Sequence, residues 1–165
     1  SYDFIVVDLP TQYDDMTLKL FEIAEKIVLV ANPTIPSIRN IRKMLDIFDS
    51  LEEPEGLSEK VLFVLNRVIH EKERGRGVIP VASIENHLKR QIVAAIPLDD
   101  RSVLTAVNQG VPLVAKLKSR SPGKELVELA ELIRRSVEQG DDVATKQPET
   151  EQRSKSGIRA LFGGN

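Results

Sequence analysis

The sequence predicts an α/β domain: an incomplete doubly wound, mostly parallel sheet with helices on both faces, its first strands missing. Three observations lead there. Four short runs rich in Val and Ile recur at residues 4–7, 27–31, 61–65 and 92–96. None alternates strictly with polar residues, which is the pattern of strands buried on both faces. Stretches of helical period separate the runs, as crossover connections between parallel strands require. The first run, Phe4-Ile5-Val6-Val7, follows only Ser1-Tyr2-Asp3, without an initiator Met or a polar lead-in. The chain is therefore expected to be the later part of something longer.

The elements follow in order. Residues 14–26 form a helix with Asp14 and Asp15 as N-terminal acids and Met16, Leu20, Ile23 and Ala24 on one face. Ser37 is expected to cap a second helix, whose Ile38, Ile41, Leu45 and Phe48 recur at helical spacing until residues 54–58 break it. Ser83 opens a third, with Ile84 and Leu88 inward. Asp99 and Asp100 lead into Val103, Leu104 and Val107, and Gly110 followed by Pro112 stops that helix as a left-handed cap. Ser121-Pro122 begins the last helix, with Pro122 at its first position and Leu126, Leu129, Ile133 and Val137 as its stripe. Three segments result: a domain over 1–139, a polar linker over 140–156 with the composition of a disordered segment, and a short tail over 157–165.

Composition narrows the function. With 165 residues the chain suits one domain rather than two. Lys and Arg total 23 against 25 for Asp and Glu, a net charge of -2, which disfavours bulk binding of nucleic acid. With no cysteine there is no disulfide framework, thiol nucleophile or thiolate metal site, and a reducing compartment fits. No apolar stretch approaches the roughly 20 residues of a membrane span. The expected location is cytoplasmic.

The chemistry gathers at the C-terminal ends of the strands, where open parallel sheets bind ligands. Asp8-Leu9-Pro10 closes the first run, and an acid so placed can hold the water shell of Mg²⁺. Asn66-Arg67 closes the third, and a side-chain amide offers a donor and an acceptor to a base edge, though an Asn there can also simply turn the chain. Pro97-Leu98-Asp99-Asp100 follows the fourth, where Asp99 or Asp100 can equally be a helix N-cap. In the tail, Ile158, Leu161 and Phe162 share a helical face beside Arg153, Lys155 and Arg159. Such a segment can lie on an anionic membrane surface. His70 and His87 have no second ligand at metal spacing and read as surface residues.

Together these stretches resemble the MinD/ParA group of deviant P-loop ATPases. Tyr2 to Pro10 is similar to its Walker B segment. Pro36-Ser37-Ile38-Arg39-Asn40, Val64-Leu65-Asn66-Arg67, Ile96-Pro97-Leu98-Asp99 and Val107-Asn108-Gln109-Gly110-Val111-Pro112-Leu113-Val114 follow in the family's order. The Asp-Leu-Pro form and the Pro-Ser-Ile-Arg-Asn stretch look most like the CpaE/TadZ pilus-assembly branch. The resemblance implies a P-loop NTPase-like fold, with ATP and Mg²⁺ as cofactors. It makes Asp8 the catalytic and Mg²⁺-orienting acid, acting through water. Asn66 becomes the adenine reader, with Arg67, Pro97 and Asp99 beside it. The resemblance further implies an ATP-dependent homodimer that positions a pilus or secretion assembly at the inner face of the cell membrane. Ile158, Arg159, Leu161 and Phe162 look like the membrane-targeting tail of MinD proteins.

One departure is large. The sequence has no glycine-rich loop ending in Lys and Ser or Thr, so Walker A is absent, and the chain alone is expected to be inactive. In the related fold the strand that feeds this loop lies between the first and second runs. Alternatives within the family are a cell-division-site or DNA-partitioning ATPase. A non-catalytic localisation scaffold with a vestigial nucleotide site is another. A signalling receiver domain is disfavoured, because Asn66 and Pro97 stand where its later strands need other residues.

Overall fold

A computed structural model of the chain describes residues 2–9, 14–50, 56–69 and 78–138. Three parallel strands, β1 (Ile27–Ala31), β2 (Val61–Val68) and β3 (Ile92–Pro97), pair in the order β1-β2-β3. The register runs from Ile27 opposite Val61 to Ala31 opposite Leu65, and from Phe63 opposite Ile92 to Val68 opposite Pro97. Helix α1 (Asp15–Ile23) precedes β1, and α2 (Ile35–Ser50) and a short 3-10 turn (Leu57–Lys60) lead into β2. Helix α3 (Val81–Leu88) leads into β3, and α4 (Asp100–Asn108), α5 (Leu113–Lys116) and α6 (Gly123–Glu138) follow it.

The strands form where Val, Ile and Leu can bury side chains toward helices. Ile27, Leu29 and Ala31 of β1 and Phe63 and Leu65 of β2 meet Phe21 of α1, Ile38, Ile41, Met44, Leu45 and Phe48 of α2, and Ile84 and Leu88 of α3 in one core. Leu62 and Val64 are buried as well, so β2 is covered on both faces, and α6 packs against β3. At β1, the edge strand, Val28 and Val30 are exposed, so only one face is covered.

Several expectations need correction. Residues 4–7 form no strand, and Ile5 and Val6 are 84% and 93% exposed. Among the described residues no strand flanks the free edge of β1, so this run has no ladder to join, and an extended segment without backbone partners gains nothing from its apolar side chains alone. Only Leu9, at its end, packs against the core.

In α1 the inward residues are Thr17 and Phe21, while Met16 and Ile23 are exposed. Phe21 carries more area than either, and turning it inward places it against Phe48. Asp14 caps this helix, accepting from the Thr17 N–H at 2.8 Å.

Helix α2 begins before Ser37, whose hydroxyl accepts from the Asn32 N–H at 3.2 Å and fastens the β1–α2 turn instead of capping. Its expected face, Ile38, Ile41, Leu45 and Phe48, is buried. Helix α3 likewise begins two residues before Ser83, behind Pro80, with Ile84 and Leu88 buried as expected. Gly110 adopts φ +63, the left-handed conformation its place after α4 requires. Pro122 is buried immediately before α6 instead of within it. The expected boundary at 139, the linker and the tail lie outside the described residues.

Candidate functional site

The polar residues brought together lie at the C-terminal ends of β2 and β3. Strand β2 runs three residues past the expected end at Leu65, so Asn66 and Arg67 belong to it. Between the pairs Leu65–Ala95 and Val68–Pro97, β2 spends one residue more than β3. Such a bulge bends the strand and turns side chains out of the pleat. Asn66 and Arg67, both exposed, are the residues turned out.

Arg67 takes φ +60, a left-handed conformation uncommon outside glycine and worth roughly 1–2 kcal/mol of strain. Two contacts accompany it. The Arg67 N–H donates to Asn66 Oδ1 at 2.9 Å, which fixes the amide's orientation. The guanidinium makes a paired contact with Asp100, Nη1 to Oδ1 and Nη2 to Oδ2, each at 3.0 Å. Below them the Leu98 N–H donates to the Val68 carbonyl at 2.9 Å and ties the two strand ends together.

Asp99 is the N-cap of α4, its Oδ1 accepting from the Ser102 N–H at 2.9 Å. Hydrogen bonding from the Ser102 side chain, then from its backbone, holds the carboxyl below its ordinary value. Pro97 closes β3 opposite Val68. Asn66, Arg67, Pro97 and Asp99 are thus gathered on one rim, and Asp100 joins them. Sequence reasoning gave Asp100 only a cap role. Its pairing with Arg67 spans 33 positions and leaves no local pattern to read.

Asp8 is placed differently. It is exposed and follows a run that forms no strand, so no sheet carries it to this rim. Among the described residues no three His, Cys, Asp or Glu side chains are grouped to hold a metal ion. The rim, with an outward amide on a fixed backbone, fits the edge of a planar base. The surroundings of Asp8 do not by themselves form a Mg²⁺ site. Ile158, Arg159, Leu161 and Phe162 lie outside the described residues. Among the described residues no helix is long and apolar enough to cross a membrane.

The chain is 29% identical over 164 residues to the chloroplastic septum site-determining protein minD homolog of Arabidopsis thaliana, covering 99% of this chain and 47% of that protein. The crystal structure of the cell division ATPase MinD of Pyrococcus furiosus matches with a TM-score of 0.61 at 26% identity, over 81% of this chain and 52% of that one. These likenesses support the MinD/ParA-type ATPase family. A chain of the MinC:MinD cell division protein complex of Aquifex aeolicus shares the fold, with a TM-score of 0.64 at 24% identity over 88% of this chain and 55% of that one. No family model matches the chain. The chain spans about half the length of the curated relatives it matches. The fold is the parallel α/β arrangement of MinD/ParA P-loop NTPases, present here as a partial sheet of three strands.

Proposed function

We propose that this chain is the base-reading part of a MinD-type ATPase that places the cell-division site. The observation that carries the reading is the rim itself: Asn66 presented by a bulge, with its amide oriented by the Arg67 N–H, beside Pro97 and Asp99 on the neighbouring strand end. In the full-length protein Asn66 would hold the adenine edge, and Asp8, only where a completed sheet carried it to this rim, would be the acid facing the water shell of Mg²⁺. MgATP, when bound, would supply the energy for a homodimer's cycle. Ile158, Arg159, Leu161 and Phe162 rest on the anionic inner face of the membrane, and a partner of the MinC kind docks on the dimer.

Division-site placement takes precedence over the pilus assembly implied by Asp8-Leu9-Pro10 and residues 36–40, because the relatives carry septum-site names. Deleting the gene tests this choice. Displaced septa with normal piliation support it, whereas normal septa with lost pili return the reading to a pilus or secretion assembly.

A further inference from the structure

We infer that Arg67 and Asp100 form a clasp that sets base selectivity, with Arg67 a positioning residue and not a ligand contact; the inference rests on the reading of Asn66 as the base reader. An L-residue at φ +60 holds there only when surrounding contacts favour it. At Arg67 one such contact is the two-pronged bond to Asp100, which joins the end of β2 to the first turn of α4. A guanidinium suits the task because its planar fork engages both carboxylate oxygens at once.

The consequence passes to Asn66. The Arg67 N–H bonds Asn66 Oδ1 at 2.9 Å across a single peptide, which leaves the amide nitrogen, a donor, as its free end, and φ of Arg67 sets how that peptide and its amide are angled toward the rim. A donor so angled pairs with adenine N1, an acceptor, and is refused by guanine N1, which carries a hydrogen. With the clasp open, Arg67 can leave the left-handed region, and the peptide with its amide swings away from that angle. Adenine and guanine would then be told apart less well. The clasp is exposed, so its effect is small and sensitive to salt.

The test is calorimetric titration of the full-length protein with MgATP and with MgGTP, alongside thermal melts. For Asp100→Asn the expected result is a preference for ATP over GTP reduced about threefold to fivefold, the scale of an exposed ion pair. Arg67→Lys, which keeps the charge and loses the fork, falls between. The exchange Arg67→Asp with Asp100→Arg recovers the preference. A merely structural pair would shift the melting temperature and leave the ratio untouched. If wild type prefers ATP and Asp100→Asn and Arg67→Lys retain that preference in full, the clasp is overturned while the base-reading site stands. If wild type shows no preference, the base-reading site fails, and the clasp with it.

Discussion

Phe21 of α1 meets Phe48 of α2 edge to face, ring centroids 5.2 Å apart and planes at 77°. Both rings are buried, and through them the first helix is fastened to the helix that crosses from β1 to β2. Truncation leaves a cavity that the surrounding Leu and Ile side chains fill only in part. Phe21→Ala is expected to destabilise the fold by about 3–5 kcal/mol. In a double-mutant cycle with Phe21→Leu and Phe48→Leu, a coupling of about 0.5–1.5 kcal/mol is expected beyond area loss. Urea unfolding of the four variants measures both.

Gly123 opens α6 with no room for a side chain. A Cβ there would lie 2.2 Å from the Leu117 carbonyl oxygen, a backbone atom that cannot swing away. Gly123→Ala therefore pushes α5 and α6 apart and is expected to cost about 1–3 kcal/mol. Gly110→Ala is a useful contrast, since nothing crowds that position and only its φ of +63 is penalised. Thermal denaturation of both variants separates crowding from backbone strain.

Lys89 ends α3 at φ +53 and ψ +38, and the left-handed form favours glycine there. Lys89→Gly is expected to stabilise the protein by about 0.5–1 kcal/mol, part of the relief being offset by a more flexible unfolded chain. Lys89→Ala should bring no such gain. Chemical denaturation curves with equal slopes would establish the difference.

Acid should loosen the cap of α1 and an ion pair within α6. Hydrogen bonding from Thr17 holds the Asp14 carboxyl below its ordinary 3.8, and Arg134 holds Glu131 at about 2 against an ordinary 4.5. Because both are lower in the folded state, their contribution is complete above the ordinary values and is lost as pH falls through the folded ones. The melting temperature should therefore decline from about pH 4.5 downward. Asp14→Asn keeps a capping side chain without a titrating group, so its melting temperature should fall less over the same range. Melts from pH 7 to pH 2 check this.

Much of the fold was legible because burial on a regular element writes a period into the sequence. The runs at 27–31, 61–65 and 92–96 are strands, and Ile38, Ile41, Leu45 and Phe48 face the core. Local pattern failed where a distant partner decides. Residues 4–7 have the composition of a buried strand, yet a strand exists only through its neighbours. In α1 the faces holding Met16 and Phe21 are both apolar, and Phe48 selects the second. At the site, Asn66 and Asp99 were readable as polar residues at strand ends. The bulge and the Arg67–Asp100 pair were not, since the first arises from register between strands and the second joins β2 to α4 across 33 positions.

The central claim is that adenine is read at the rim formed by the ends of β2 and β3. Photolabelling the full-length protein with 8-azido-ATP in the presence of Mg²⁺, followed by peptide mapping, tests it most directly. Label on residues 66–69 or 97–100, competed by ATP and reduced by Asn66→Ala, is the result predicted. Competable label elsewhere, with these peptides unmodified, would contradict it.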